Sequence, residues 1–310
     1  RIRDMKLLYL TDQIYMHGGR ERVLAEKANY FSEKFAHEIF ILTTEQKGHS
    51  PLYPISKKVK IIDLEVNYRR DKSYFSLVNL VKIIEHYLRL RLKIKEINPD
   101  IIIILSSRPD SFFLNFISGN IPKIKEFHSS FFAEDESGKG THSLRKILKK
   151  LERYLDSKYD LLVVLNDRES RNFSSPNVAV IPNAVTYWPS EIAKLENKTV
   201  IAAGRIAPVK GFDILLKIWS EVIKSHPEWK LEIYGQGERH YEDYLIRMVD
   251  ELGLKESAFF CGSTRYLEEK MLDSSVYVLS SYSECFPTVL LEAFACGLPA
   301  VSFDCPTGPG

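Results

Sequence analysis

Short apolar runs separated by amphipathic stretches recur along the whole chain, and this alternation limits the possible folds more than any other feature. The clearest run is "DIIIILSS" at 100–107. Four consecutive Ile make a strand apolar on both faces, so its sheet must be covered on both sides. "KLLYLT" (6–11), "EIFILTT" (38–44), "VKIIDL" (59–64), "PKIKEFH" (122–128), "DLLVVLN" (160–166) and "NVAVIPN" (177–183) read as strands of the same set. Between the first two, Val23, Leu24, Ala28, Phe31 and Phe35 fall at helical spacing, and residues 73–96 read as a long helix ended by "NP". A second set follows: strands at 198–204, 230–235, 258–262, 275–281 and 298–303, with helices at 211–227 and 238–252. Strands alternating with helices predict an α/β chain with doubly wound parallel sheets.

A chain of 310 residues with two such sets predicts two domains. The expected bounds are 5–183 and 198–310, with a linker at 184–197, and the residues before Met5 are set aside. Ligands in sheets of this kind bind outside the carboxyl ends of the strands, so a cleft between the domains is the expected site. The four Cys show no Cys-x-x-Cys pair and no His at zinc spacing, which predicts reduced thiols. Charge divides with the domains. Residues 1–185 carry 31 Lys/Arg and 23 Asp/Glu, a net of +8, and residues 186–310 carry 12 and 18, a net of −6. Such an imbalance points to an anionic partner for the first half.

The loops after the strands hold the chemistry. "HGGRER" (17–22) places Gly18 and Gly19 at a strand–helix turn, where free N–H groups suit an anion; a plain turn fits the same residues. "GRIAPVKG" (204–211) sets Arg205 and Lys210 around a Pro-containing loop, an arrangement suited to a diphosphate. "YGQGE" (234–238) ends a strand with two Gly, including Gly235. His240 stands where a dinucleotide fingerprint needs Gly, so no Rossmann cofactor site is assigned. In "SECFPTVLLEAF" (283–294), Glu284 falls in a loop and Glu292 inside the following helix among apolar neighbours, pointing inward toward a bound partner.

Taken together and in this order, the loops resemble the retaining glycosyltransferases of family GT4, which have the GT-B fold of two Rossmann-like domains facing a cleft. The resemblance runs from Met5 onward and rests on "GGRERV", "IPNAV", "AAGRIAPVKGFDILLKIW", "YGQGE" and "ECFPTVLLEAFACGLPAVSFD". It is strongest to the bacterial branch that builds surface polysaccharides and lipid-linked oligosaccharides. It implies that Arg205 and Lys210 hold the donor diphosphate, that Glu292 binds the ribose and that Glu284 contacts the donor sugar. Backbone amides of Phe286, Pro287–Thr288 and Val289 then face sugar hydroxyls or phosphate, Gly18 and Gly19 approach the diphosphate, and His128 lies near the transferred sugar. It implies a UDP-sugar as co-substrate, no other cofactor and no metal. Cys285 stands where many relatives have Gly, which bears on the donor sugar. The fold normally continues past "PTGP", so the chain reads as truncated.

A sugar-nucleotide epimerase of the same fold and a non-catalytic sugar-nucleotide-binding protein fit the same motifs. Nucleic acid is not expected, because the basic residues accompany aliphatic stripes rather than aromatic platforms. In "SLRKILKKLERYLDSKYD" (143–160), Leu144, Ile147, Leu148, Leu151 and Leu155 share a helical face flanked by Arg145, Lys146, Lys149, Lys150 and Arg153. Residues 69–95 add further Lys and Arg. The expectation is an anionic membrane surface as partner and a cytoplasmic, peripheral location on the inner face of the cell membrane, with an ordinary solvated helix as the alternative.

Overall fold

The computed structural model describes residues 4–73, 76–105, 109–117, 119–128, 150–173, 175–185, 187–305 and 308–309. The chain divides into two units, Arg1–Pro182 and Asn183–Gly310.

The first unit holds a seven-stranded sheet of β1 (Lys6–Thr11), β2 (Glu38–Thr43), β3 (Lys60–Asp63), β4 (Ile101–Ile104), β5 (Lys123–Glu126), β6 (Leu161–Val164) and β7 (Val178–Val180). Their order is β3-β2-β1-β4-β5-β6-β7, and every pairing is parallel. Period-2 alternation divides β1 between two cores. Leu8 and Leu10 pack with Leu90, Ile94, Ile97 and Leu114 on one side. Leu7 and Tyr9 pack with Leu24 and Ala28 on the other. Helix α1 (Gly19–Lys34) covers the second side, and α2 (Leu77–Ile97) and α3 (Asp110–Ile117) cover the first. The Ser76 side chain caps α2 by accepting from the Asn79 N–H, and Asn98 ends it in the left-handed region at φ 48°.

The second unit holds β8 (Thr199–Ala203), β9 (Lys230–Tyr234), β10 (Ala258–Gly262), β11 (Val276–Leu279) and β12 (Ala300–Ser302) in the order β10-β9-β8-β11-β12, again all parallel. Trp219, Leu215 and Leu216 of the helix Phe212–Ser225 cover one face. Leu290, Ala293 and Cys296 cover the other. Within the stretch read as a linker, Tyr187 and Ala193 pack into that second core, and the Ala193 N–H donates to the Cys296 carbonyl at 2.8 Å. All four cysteines are free thiols.

Candidate active site

In the second unit β8 comes first in the chain yet lies in the middle of the sheet, with β9 on one side and β11 on the other. The chain leaves the ends of β8 and β11 in opposite directions, which opens a crevice above their carboxyl ends. The loops there carry Arg205–Lys210 and Glu284.

Local backbone chemistry fixes both loops. Pro208 starts a single 3-10 turn through Lys210, and Gly211 ends it at φ 62°. A Cβ on Gly211 would lie 2.1 Å from the Ser280 carbonyl oxygen, so only glycine lets the two loops touch. The Ser280 hydroxyl donates to the Lys210 carbonyl at 2.9 Å, and the Tyr282 N–H donates to the Val209 carbonyl at 2.9 Å. The Lys210 Nζ then reaches Glu284 Oε1 at 2.5 Å. The Ser281 hydroxyl donates to the same oxygen at 2.5 Å. On the other flank the Ile206 N–H donates to the Gln236 carbonyl at 3.0 Å, and Gly235 lies so close to Gly204 that a Cβ would meet its carbonyl oxygen at 1.8 Å.

Arg205 stands just beyond β8, exposed and, among the described residues, without an ion pair. Glu292 is buried on the helix Thr288–Ala295, whose outward side carries Phe294 instead. Pro287 precedes that helix and, among the described residues, no N-cap side chain accepts from its first turn. Phe286 lies half-buried beside Pro287. Two participants escaped the sequence reading. Ser281 completes the hold on Glu284. Tyr277 is fully buried and donates to the Ala203 carbonyl at 3.2 Å. Burial first, then the charges of Glu284 and Glu292, push its phenol far above the ordinary value, so both carboxylates bear on one side chain. An inward Tyr in an otherwise aliphatic strand was the available signal.

In the first unit, Gly18 precedes α1 in extended conformation and Gly19 begins it. Beneath them the Arg20 guanidinium bridges Asp12 at 2.6 Å and buried Glu21 at 2.9 Å. His128 follows β5. Its Nε2 lies 3.0 Å from Glu126 Oε2, and the Lys27 Nζ reaches the same oxygen at 2.8 Å. Burial opposes ionisation of Glu126, but the His128 hydrogen bond and the Lys27 charge together hold its carboxyl below the usual range. An ionised Glu126 accepts from Nε2, which leaves Nδ1 as the buried nitrogen without a partner among the described residues. Neither Glu126 nor Lys27 was singled out from sequence. A Glu in a central strand was the signal for the first; the second lies 99 positions away.

Residues 17–187 match the family described as Glycosyltransferase Family 4, and residues 188–310 match Glycosyl transferases group 1. The first match alone spans more than half of the chain. The chain belongs to glycosyltransferase family 4. This glycosyltransferase is 31% identical, over 98% of its length and 82% of the relative's, to an uncharacterized glycosyltransferase of Haemophilus influenzae. It is 29% identical, with the same coverage, to the amylovoran biosynthesis glycosyltransferase AmsD of Erwinia amylovora. Its fold matches that of an S. aureus TarM mutant solved with Fondaparinux, alpha-GlcNAc-glycerol and UDP, at a TM-score of 0.74 and 15% identity over 98% of this chain and 87% of that one. The two parallel sheets and this likeness show the GT-B fold.

Of the five basic residues expected to face a membrane, Arg145, Lys146 and Lys149 lie outside the described residues of the glycosyltransferase, and so do Leu144, Ile147 and Leu148. Lys150 and Arg153 are exposed. The shared apolar face expected for Leu151 and Leu155 is divided: Leu155 is buried, whereas Leu151 is exposed.

The Glu126 arrangement predicts an acid-side loss of stability. The native carboxyl binds its proton more weakly than the unfolded one, whose pKa is about 4.3. Its contribution is therefore complete above that value and is lost as pH falls through the lower native value. Urea midpoints measured from neutral pH into this acid range should fall less steeply for Glu126→Gln than for the wild type. Parallel profiles would show that the pair contributes nothing.

Proposed function

We propose that this glycosyltransferase moves a hexose or N-acetylhexosamine from a UDP-sugar, with retention of configuration, to a polyprenyl-diphosphate-linked glycan in cell-surface polysaccharide synthesis. The observation that carries the reading is the Lys210–Glu284 contact across the crevice at 2.5 Å, beside an exposed Arg205. A cation and a carboxylate fixed at one point suit a donor that has an anionic diphosphate at one end and a hydroxyl-rich sugar at the other. The TarM mutant's complex with UDP supports the nucleotide, and the naming of AmsD for amylovoran biosynthesis supports the product class.

In this reading Arg205 and Lys210 hold the diphosphate, the buried Glu292 takes the ribose hydroxyls, and Glu284 takes the sugar. The N–H groups of Phe286, Thr288 and Val289, on either side of Pro287, bind sugar hydroxyls or phosphate, and Gly235 lets the chain run close beside Gly204. The bond from the anomeric carbon to the diphosphate oxygen breaks, and one from that carbon to the acceptor oxygen forms on the same face. The departing diphosphate takes the acceptor's proton. Positive charge grows on the sugar and negative charge on the leaving group, and fixed side-chain cations stabilise the latter without a metal. The first unit serves the acceptor, with Gly18, Gly19 and His128 on its side of the reaction. The enzyme works as a peripheral protein on the cytoplasmic face of the membrane.

Calorimetry with UDP tests the donor assignment. Arg205→Ala should weaken binding by about tenfold or more, the equivalent of about 1.4 kcal/mol. Equal affinity in the two proteins removes Arg205 from the site. A panel of nucleoside diphosphates in the same titration tests the base.

A further inference from the structure

Helix α2 is apolar on two opposite sides. One side, with Leu90, Ile94 and Ile97, is buried against the sheet. The other carries Leu77, Val81, Ile84, Leu88 and Leu92, each between 51% and 83% exposed. Their spacing of four, three, four and four positions forms one continuous stripe along four turns, about 22 Å long. A surface helix ordinarily shows polar residues there. A single exposed Leu is unremarkable, but five in line form a contiguous patch that a water-facing surface seldom carries. The same helix layer adds Phe116 on α3, also largely exposed.

Charge indicates what covers the stripe. Arg91 and Lys95 continue it toward the end of α2, at the next helical positions after Leu88. The two acidic residues of α2 are both engaged: Glu85 with Arg89 at 2.5 Å and Glu96 with Lys93 at 2.7 Å. Arg91 and Lys95 have no ion pair among the described residues. The face is therefore aliphatic for most of its length and cationic at one end. A protein partner would need a matching acidic end, and a second copy of this chain would bring the same cationic end. An anionic bilayer offers hydrocarbon to the stripe and phosphate to Arg91 and Lys95 together. No described helix is long and apolar enough to cross a bilayer, so the contact is with its surface.

We propose that the outward face of α2 docks this glycosyltransferase on an anionic lipid bilayer, with Leu77–Leu92 entering the headgroup–acyl boundary and Arg91 and Lys95 on the headgroups. The choice of occupant rests on the reading of a lipid-linked acceptor. The proposal goes further by assigning the contact to an aliphatic stripe on α2 rather than to basic charge alone.

The test is co-sedimentation with phosphatidylcholine vesicles, with and without phosphatidylglycerol, at low and high salt. The wild type should bind the anionic vesicles. Ile84→Glu with Leu88→Glu should weaken binding by about tenfold or more, with an unchanged circular-dichroism melt. Arg91→Glu with Lys95→Glu should remove the preference for phosphatidylglycerol and most of the salt dependence. Should the first pair fail to fold, Val81→Ser with Leu92→Ser tests the same stripe more mildly. Wild type that ignores anionic vesicles, or a stripe variant that binds them like the wild type, overturns the proposal. So does a wild type that sediments as a dimer while the stripe variant is a monomer, which would place a second copy on α2. Transfer to a water-soluble acceptor fragment is measured separately and should survive the stripe substitutions. Vesicle binding without any transfer sinks the catalytic reading and leaves the docking face standing; transfer without vesicle binding does the reverse.

Discussion

Lys210→Met is expected to lower the rate of sugar transfer at saturating donor by about 10²–10³-fold while the second unit stays folded. Methionine keeps an apolar stem beside Gly204, where the Lys210 methylenes now lie, and removes only the ammonium group. The lost charge is the one set 2.5 Å from Glu284, where the leaving diphosphate would gather negative charge. An interaction that strengthens as the bond breaks affects kcat more than KM, so both must be measured, with a thermal melt as control. A fall in apparent donor affinity with unchanged kcat would make Lys210 a binding residue only. An unchanged kcat/KM would remove it from the reaction.

The second large effect falls on stability. Gly211→Ala is expected to destabilise the second unit by about 3 kcal/mol or more, lowering its melting temperature by about 10 °C. Two costs combine. Alanine at φ 62° is strained by about 1–2 kcal/mol. Its Cβ would also meet the Ser280 carbonyl oxygen at 2.1 Å, and that oxygen belongs to backbone, not to a side chain that can swing away. Gly253→Ala separates the two costs, because Gly253 has φ 69° and open space around the added carbon. The difference between the two melts measures the close approach. Equal shifts would mean that the loops can part without penalty.

The sheets were legible because their central strands β1, β2 and β4 are apolar on both faces. The runs at 6–11 and 38–43 leave no other use for so many consecutive Leu and Ile, and each strand was placed to within a few residues. The loops after β8 and β9 were legible because their geometry demands residues with special backbones: Pro208, Gly211 and Gly235. Contacts between distant positions were not legible. Lys27 joins Glu126 and His128 only because α1 lies against β5 in the folded chain, and no local pattern pairs them. Tyr277 stands out in its aliphatic strand, but its hydrogen bond to the Ala203 carbonyl spans 74 positions. The exposed stripe of α2 was unreadable for another reason. Spacing shows that a helix has apolar residues on a face, but α2 has them on two, and only the position of the sheet decides which is buried. The stretch 184–197 was read from its prolines and charge shift, which say nothing of the hydrogen bond from Ala193 to Cys296.

The contact between Lys210 and Glu284 also bears on how the proposed donor would enter. Each residue serves as the other's counter-ion, so in the proposed reading an arriving donor substitutes one anion for another. In the proposed reading a donor diphosphate makes that substitution at Lys210, while the Ser281 hydroxyl still holds Glu284 beside the sugar. A free monosaccharide has no anion to trade and leaves the pair closed. On the proposed reading, selection of the donor over a neutral sugar would rest on charge as well as on shape.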